Sequence, residues 1–376
     1  MILAYFLFIK NAYSLIIWQL LNIFERSFIS TFRNLVLLML TPIIILLLHI
    51  HWFFFIIDEC LFFTYRNTKI KHPLFIIGVP RSGTTYLQRT LAKDCNFTTT
   101  SLSDCIFTPA ISERYIALAL KKLFSPIATL TKHSKKKWQL PFFKNMQDIH
   151  TLGLNEPEED FFILTCILSC FIQMTIFPNY PNIWKLADFD NQISEWDKKV
   201  IMIFYKKMVQ KHIYFNGTDK TYLAKNPSFT SWVDSLHQYF EDPLIITCVR
   251  EPQKTIPSQI SALAPIFKLI RHDINNPSFI NNITNMLIGY YQYIQKQSLI
   301  KIGSKNSIHI VDINDIKLNL QTCIHQIYHL GQYPLSDELN EYYQVKSEKN
   351  KQFKSNHQYI KKTTHTQEMP SFNKIW

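Results

Sequence analysis

A glycine-containing loop in the segment Pro73–Leu87 is the part of the chain best suited to bind an anion. Gly78 and Gly83, two of only seven glycines in the chain, have four residues between them, as in phosphate-binding loops. In such a loop, backbone N–H groups at a helix N-terminus surround a phosphate. The ATP- and GTP-binding pattern has a lysine directly after the second glycine, whereas this chain has Thr84 there and a cation earlier, at Arg81. The loop therefore predicts anion binding of a different kind from that of ATP or GTP sites.

A second polar cluster follows the apolar run Leu244–Val249, which we interpret as a buried strand. Arg250 comes directly after this run, and Pro252 and Ser258 follow it. The planar guanidinium of arginine can make two parallel hydrogen bonds to phosphate oxygens. Because ligands of open parallel sheets collect at the carboxyl ends of the strands, we expect this cluster and the glycine loop to lie at one edge of the sheet.

Together the two segments resemble sulfotransferases that use 3′-phosphoadenosine-5′-phosphosulfate (PAPS). The sequence PRSGTT at 80–85 is similar to their 5′-phosphosulfate loop, and the segment that begins at Arg250 matches their R-x-P-x5-S pattern for the 3′-phosphate. Looser similarity covers about residues 58–345, and NEPEEDFF at 155–162 resembles an acidic signature of one largely bacterial branch. The resemblance implies PAPS as co-substrate and PAP as product. It implies these cofactor-binding residues: Pro80, Arg81, Ser82, Gly83, Thr84, Thr85, Lys225, Arg250 and Ser258.

Sulfuryl transfer also needs a group that stabilises the leaving phosphate and a base that takes the acceptor's proton. We expect the loop N–H groups and Arg81 to stabilise the leaving group. Asp104 is the first candidate for the base, because it lies where the resembling branch carries the glutamate of a Trp-Glu pair. Glu158 and Glu159 are the second candidates, and His150 is a third. The acidic run around the two glutamates also fits a helix start, where carboxylates complement the helix dipole.

Composition restricts the classes of partner. The net charge of +12 indicates anionic partners such as a bis-phosphorylated nucleotide, an anionic lipid or nucleic acid. Because no RNP-like, zinc-finger or basic-zipper pattern is present, we predict no nucleic-acid partner. The seven cysteines contain no C-x-x-C pair, which favours a reducing compartment and no metal site. Cys166 and Cys170 are four residues apart in an apolar run and are predicted to share one face of a helix.

Residues 1–65 are predicted to be helical and membrane-associated. The run Asn34–Ile57 contains no Asp, Glu, Lys or Arg, and as a helix it is long enough to cross a hydrocarbon core of about 30 Å. Met1–Leu21 is apolar apart from Lys10. Two arrangements remain open: a single span or helical hairpin, or a monotopic helix pair that lies on the membrane or packs on the catalytic domain. Because PAPS is made in the cytosol, we expect the catalytic domain to be cytoplasmic.

Residues 66–345 are predicted to alternate between strands and helices and to form the catalytic domain. This alternation indicates an α/β fold of the P-loop type, with a parallel sheet flanked by helices. The predicted strands are Leu74–Val79, Tyr222–Ala224, Ile245–Val249 and Ile308–Val311. The predicted helices are Gly83–Lys93, Glu113–Leu123, Glu158–Met174, Asp197–His212, Ser231–Tyr239 and Leu320–Leu330. Residues 346–376 are polar and lysine-rich and are predicted to form a tail.

The favoured function is PAPS-dependent transfer of a sulfuryl group to a hydroxyl or amine of a lipid-like or other small acceptor, without a metal. The lipid-like character of the acceptor rests on the apolar N-terminal segments. One alternative is a P-loop nucleotide kinase, against which Thr84 and the lack of a clear magnesium-binding aspartate after a strand both count. The other is a membrane protein that binds PAP without catalysis.

Overall fold

A parallel sheet of five strands forms the centre of the protein. The computed structural model describes residues 1–25, 27–130, 154–300 and 307–351, with the backbone alone for 124–130. The strands lie in the order β2-β3-β1-β4-β5, and each is parallel to its neighbours. They are β1 (Leu74–Gly78), β2 (Phe97–Thr98), β3 (Thr221–Lys225), β4 (Leu244–Val249) and β5 (His309–Asp312).

Helices cover both faces of this sheet, and two long helices precede it. The α-helices are α1 (Ile2–Leu21), α2 (Phe28–Leu61), α3 (Thr84–Leu91), α4 (Leu102–Ile106), α5 (Ile111–Leu130), α6 (Pro181–Lys185), α7 (Phe189–Gln192), α8 (Glu195–Asn216), α9 (Val233–Tyr239), α10 (Pro252–Leu269), α11 (Pro277–Ser298), α12 (Ile313–Leu318), α13 (Leu320–Gly331) and α14 (Asp337–Lys351). The 3₁₀ helices are Phe63–Asn67, Asp160–Ile167, Phe171–Thr175, Leu186–Asp188 and Pro227–Trp232.

The central strand β1 is buried on both faces. Leu74 and Ile76 contribute to a core formed with α3, α13 and α14, whereas Phe75 and Ile77 contribute to a larger core on the other side. Successive side chains of a strand point to opposite faces, so a strand covered on both sides needs apolar residues throughout. This explains why β1 is a continuous apolar run, and it confirms the predicted parallel sheet flanked by helices.

The N-terminal helices α1 and α2 are both long and apolar enough to cross a membrane, by length and composition. They form an antiparallel pair in which the rings of Tyr5 and Trp52 are 5.2 Å apart and Asn34 donates a hydrogen bond to the carbonyl of Asn22. One face of each helix is buried against the larger core. The pair therefore packs on the catalytic domain, which was one of the predicted arrangements.

The prediction of one helix over Glu158–Met174 is wrong. This segment forms two 3₁₀ helices, and Leu168 between them has a φ of 52°, in the left-handed region, which ends the first of them. Nearly all of its apolar side chains are buried, so tertiary contacts on every side determine the backbone and no amphipathic stripe remains. Cys166 and Cys170 are both buried, as predicted, but they do not share a helix face.

Two other elements extend beyond their predicted bounds. Helix α5 begins at Ile111 and continues to Leu130, and α14 continues to Lys351, inside the predicted tail. The rest of that tail, 352–376, and the candidate base His150 lie outside the described residues.

Candidate active site

The loop between β1 and α3 has a backbone that requires glycine. At Gly78, φ is +118° and an added Cβ would lie 2.0 Å from the carbonyl oxygen of Cys248 on β4. A side chain here would separate the two strands. Arg81 has a φ of +67°, and Gly83, at +90°, directly precedes helix α3. The loop therefore turns tightly and brings the N-terminus of α3, which no described side chain caps, to the carboxyl end of the sheet.

The other predicted loop residues are partly or wholly enclosed. Ser82 and Thr84 are buried, and Pro80 and Thr85 are half-buried. The Ser82 Oγ donates a 2.6 Å hydrogen bond to the carbonyl oxygen of Val79. Ser82 thus holds the turn closed, while the backbone of the loop and the first turn of α3 form the surface available to an anion.

The two predicted phosphate-binding segments meet at this loop. The Arg81 Nε donates to the Ser258 Oγ at 3.3 Å, and the Arg250 Nη1 donates to the carbonyl oxygen of Arg81 at 3.2 Å. They meet because β1 and β4 are adjacent and parallel, with Gly78 opposite Cys248. Two guanidinium groups, a hydroxyl and a helix N-terminus therefore lie together, and this donor set suits an anion with several phosphate oxygens.

Tyr291 of α11 contacts the residues that hold Arg250 in place. The sequence interpretation did not predict this role of Tyr291. Its hydroxyl donates to the carbonyl oxygen of Arg250 and lies 3.0 Å from the Oγ1 of Thr255. Burial raises the pKa of Tyr291 to about 12, so the hydroxyl keeps its proton at neutral pH. A lone tyrosine in a helix carries no sequence signal for such a role.

A second charged cluster lies at the end of the neighbouring strand β3. The Lys225 Nζ is 2.8 Å from Glu159 Oε1 and 3.6 Å from Glu158 Oε1. Lys225 is fully buried, Glu158 is nearly so, and the side chain of Glu159 keeps 24% of its surface exposed. Lys225 is opposite Ile76 of β1, and Gln88, one turn into α3, donates to the carbonyl of Glu158. The cluster therefore lies beside the loop and its helix.

Glu159 has the properties of a proton acceptor. Burial raises the pKa of Glu159. The charge of Lys225 lowers this pKa and the charge of Glu158 raises it, and the net shift is upward. A carboxyl group with a raised pKa and partial access to solvent is suited to accept a proton. Among the predicted bases, Glu159 combines such a shift with contact to the charged lysine beside the loop.

The next residue, Asp160, fixes the backbone of this cluster. It is buried and accepts hydrogen bonds from Tyr205, from Tyr222 at 2.6 Å and from Asn226. Asn226 follows Lys225 directly, and its Oδ1 accepts from the N–H of Phe161 at 3.2 Å. Asp160 thus ties the segment that carries the two glutamates to the segment that carries Lys225. The sequence signal for it was a carboxylate at the start of an apolar run.

Asp104, the first candidate for the base, is engaged elsewhere. Its Oδ2 accepts from the N–H and the Oγ of Ser101, both at 2.8 Å, in a capping box at the start of α4. Its Oδ1 lies 3.9 Å from Arg114 Nη2. Burial tends to raise the pKa of Asp104, but Arg114, His212 and Ser101 together hold it below its ordinary value. Asp104 is therefore a stably ionised capping residue, and Glu158 and Glu159 are the glutamates that contact Lys225.

The sequence profile of the sulfotransferase family matches residues 73–337. The chain belongs to the sulfotransferase family. This match includes the glycine loop, both charged clusters and the whole sheet, and it confirms the resemblance inferred from the two phosphate-binding segments. Two curated relatives, both named omega-hydroxy-beta-dihydromenaquinone-9 sulfotransferase Stf3, come from Mycobacterium bovis and Mycobacterium tuberculosis. Each is 25% identical over 211 residues, which are 55% of this chain and 48% of the relative. The chain thus spans about half the length of the curated relatives it matches.

Two solved structures share the fold of this chain. STF9 from Mycobacterium avium has a TM-score of 0.62 and 17% identity, covering 84% of this chain and 76% of its own. STF1 from Mycobacterium tuberculosis has a TM-score of 0.58 and 16% identity, covering 92% and 90%. At this level of identity the likeness establishes the fold, and the roles of individual residues rest on the geometry described above.

Proposed function

We propose that this sulfotransferase moves a sulfuryl group from PAPS to a hydroxyl or amine of a lipid-like acceptor and releases PAP. The observation that carries the proposal is the meeting of Arg81, Arg250 and Ser258 at the uncapped start of α3. A nucleotide with phosphates at both its 3′ and 5′ positions needs two anion-binding groups at one edge of the sheet. The loop supports binding of one end, and Arg250 with Ser258 supports binding of the other.

The residues around the loop have separate tasks in this proposal. When bound, PAPS supplies the sulfuryl group and PAP as its leaving group. The N–H groups of Ser82–Thr85 and the guanidinium of Arg81 donate hydrogen bonds where negative charge develops on the leaving phosphate. The hydroxyls of Thr84 and Thr85 add further donors. Because these groups are held by the tight turn between Gly78 and Gly83, they need little reorganisation during the reaction.

We assign the proton acceptor to Glu159, with Glu158 as its neighbour and Lys225 as the residue that holds both. Asp104 is a weaker candidate because its oxygens are occupied by Ser101 and Arg114 and its pKa is lowered. A base must be able to take a proton at working pH, which favours the carboxyl group with the raised pKa. The proton of the acceptor hydroxyl would pass to Glu159 as the oxygen attacks sulfur.

The lipid-like acceptor rests on two supports. The relative Stf3 has a hydroxylated dihydromenaquinone in its name, which is a long apolar molecule with a hydroxyl group. This chain carries two apolar helices that pack directly on its catalytic domain. We further propose that the catalytic domain is cytoplasmic, where PAPS is made.

Calorimetric titration of the detergent-solubilised full chain with PAP, and separately with ATP and Mg²⁺, tests the donor site. Micromolar binding of PAP is expected, weakened at least about tenfold in Arg81→Ala and in Arg250→Ala, because each removes a charge-assisted hydrogen-bond donor. Lys254→Ala is a suitable control, since Lys254 is an exposed cation of α10 that pairs with Glu251. Binding of ATP without binding of PAP would refute the proposal and favour a P-loop kinase.

A further inference from the structure

The outward faces of α1 and α2 are apolar along their whole length. In α1, residues one or two turns apart, such as Ile2, Phe6 and Tyr13, are at least 60% exposed. In α2, Phe32 and Met39 are two turns apart and are 55% and 73% exposed. Monomeric soluble proteins rarely expose a contiguous apolar surface of this length, so a partner must cover it.

Helix α5 continues this surface on the other side of α2. The carboxylate of Asp58 in α2 accepts hydrogen bonds from the N–H groups of Ile111 and Ser112 at the start of α5. The rings of Phe62 and Tyr115 are stacked with centroids 5.4 Å apart. From Tyr115 to Leu123 every residue of α5 is exposed, although the segment is mostly apolar. We call the outward faces of α1, α2 and α5, the last as far as Leu123, the apolar platform.

The catalytic domain holds α2 over a distance too long for a perpendicular span. The Arg33 Nη1 of α2 donates to the carbonyl oxygen of Arg271, and the Asp58 carboxylate forms a 2.7 Å buried ion pair with Lys211 of α8. Between them, Trp52 donates to the carbonyl of Cys166. Arg33 and Asp58 are separated by about 38 Å of helix at 1.5 Å per residue, which exceeds a hydrocarbon core of about 30 Å. An α2 that crossed the bilayer would pull this polar domain into the hydrocarbon.

Helix α1 is held in the same way. Lys10 forms an ion pair with Asp197 at 2.7 Å, and the Nδ2 of Asn11 donates to the carbonyl oxygen of Ile167 at 2.9 Å. The Oγ of Ser14 lies 2.8 Å from the hydroxyl of Tyr180. Polar contacts with the catalytic domain in the middle of α1 leave only its outward face for lipid.

The charges around the platform favour an anionic surface. Within α1, α2 and Ile111–Leu123 of α5, no Asp or Glu is classed as exposed: Asp58 and Glu113 are buried and Glu59 is half-buried. Lys121 is exposed at the far end of the platform, beside Leu120. Long lysine side chains can keep their charge among lipid headgroups while their stems lie over apolar surface. The occupant that fits an extended apolar face with a cationic rim is a bilayer containing anionic lipids.

We infer that α1, α2 and α5 dock the protein in the plane of an anionic membrane, as a monotopic platform, and that none of the three crosses it. The inference rests on the lipid-like acceptor of the proposed function. The chain before α5 also contacts the site, because Ser101, ten residues before Ile111 of α5, forms a bridge with Pro157, next to Glu158. The segment that begins at the platform therefore ends at the wall of the site.

Labelling of the two ends of α2 tests the topology. Cys60 near its C-terminal end is exposed, and Ser27, which precedes its first residue, is exposed and can be replaced by cysteine. The background is Cys95→Ser, because Cys95 is the other exposed cysteine and the remaining five are buried. In sealed membrane vesicles a membrane-impermeant maleimide is expected to label both positions or neither. Labelling of one position and protection of the other would overturn the inference, because the two ends would then lie on opposite sides.

Flotation of the full chain with vesicles tests the surface itself. Binding is expected to be stronger with phosphatidylglycerol mixed into phosphatidylcholine than with phosphatidylcholine alone. The pair Leu120→Glu and Leu123→Glu should weaken binding at least about tenfold, because two apolar side chains leave the interface. Val345→Glu is the matched control, since Val345 on α14 is as exposed as Leu120 but lies outside the platform.

Binding of PAP serves as the independent readout. The Leu120→Glu and Leu123→Glu pair should bind PAP as the unaltered protein does, so a failure of the donor-site proposal and a failure of the platform are distinguishable. Normal vesicle binding by the doubly substituted protein would show that α5 is not part of the platform. A protein that forms a dimer in solution and does not float would assign the platform to a second copy. Either result would overturn the inference.

Discussion

Removal of the buried lysine at the end of β3 tests the reasoning about the second charged cluster. In Lys225→Met the side-chain volume is kept, but Glu158 and Glu159 lose a cation that contacts both of them. We expect the free energy of unfolding to fall by about 3 kcal/mol, since breaking a buried ion pair costs about 3–5 kcal/mol and the partial exposure of Glu159 reduces that cost. Turnover should be lost in the same variant, because the proposed base is no longer held.

The loss should depend on pH in a defined direction. The pKa of Glu159 is raised in the folded protein by burial, against the opposing charge of Lys225. A carboxyl group with a raised pKa stabilises the fold most below its unfolded pKa, and this contribution is lost as pH rises through the folded pKa. Without Lys225 the folded pKa of Glu159 rises further. The destabilisation of Lys225→Met should therefore be smallest at acid pH and grow as the pH rises.

Urea unfolding of the full chain in detergent, followed by tryptophan fluorescence at several pH values, measures this dependence. Lys254→Met is the matched control, because Lys254 pairs with Glu251 and both side chains are at least half exposed. That pair should contribute less than about 1 kcal/mol, with little dependence on pH. The double variant Lys225→Met, Glu159→Gln should regain stability without regaining activity. A destabilisation by Lys225→Met that is below about 1 kcal/mol, or the same at every pH, would refute the electrostatic account.

Two further variants test the loop and the base. Gly78→Ala should lower the free energy of unfolding by at least about 3 kcal/mol in the same assay, because the new methyl group meets the backbone of Cys248 at a positive φ. Gly289→Ala lies in a helix where an added Cβ meets no neighbouring atom within 4 Å, so it should be neutral or gain up to about 1 kcal/mol. Equal effects of the two substitutions would contradict the argument. The base is tested with an ω-hydroxylated menaquinone in micelles as acceptor. Glu159→Gln should lower PAPS-dependent release of PAP by about 10²–10⁴-fold and remove the fall in rate towards acid pH. Asp104→Asn should lose about 1 kcal/mol of stability and keep most of its turnover. Loss of turnover in Asp104→Asn with turnover kept in Glu159→Gln would instead assign the base to Asp104.

The local elements of the catalytic domain were predictable because their signals are local. A strand buried on both faces is an apolar run, and a tight turn at an interstrand contact needs glycine, so β1 and Gly78 could be found from the sequence. The same holds for β4, whose end places Arg250, and for the long amphipathic helix α8. The helices α10 and α11 were not predicted; α10 contains Pro257 and Pro265, which obscure its pattern.

The roles of carboxyl groups depended on tertiary contacts. Asp104 and Glu159 are both acidic residues in segments that resemble parts of the family, and no property of the sequence separates them. Packing separates them, because it places Asp104 beside Arg114 and Ser101 and places Glu159 beside Lys225. Burial and neighbouring charge then move their pKa values in opposite directions.

The sequence by itself therefore determined the family, the parallel sheet and the residues that meet at the edge where we propose that phosphate binds. It could do so because backbone geometry at a loop is specified by a few residues at fixed spacing. Tertiary structure decided the properties that depend on residues distant in the chain. It determined that Lys225 is buried between two glutamates, that the apolar helices α1 and α2 pack along the catalytic domain, and that α5 extends their surface. Hydropathy records how apolar a helix is, but only packing determines which of its faces remains for a membrane.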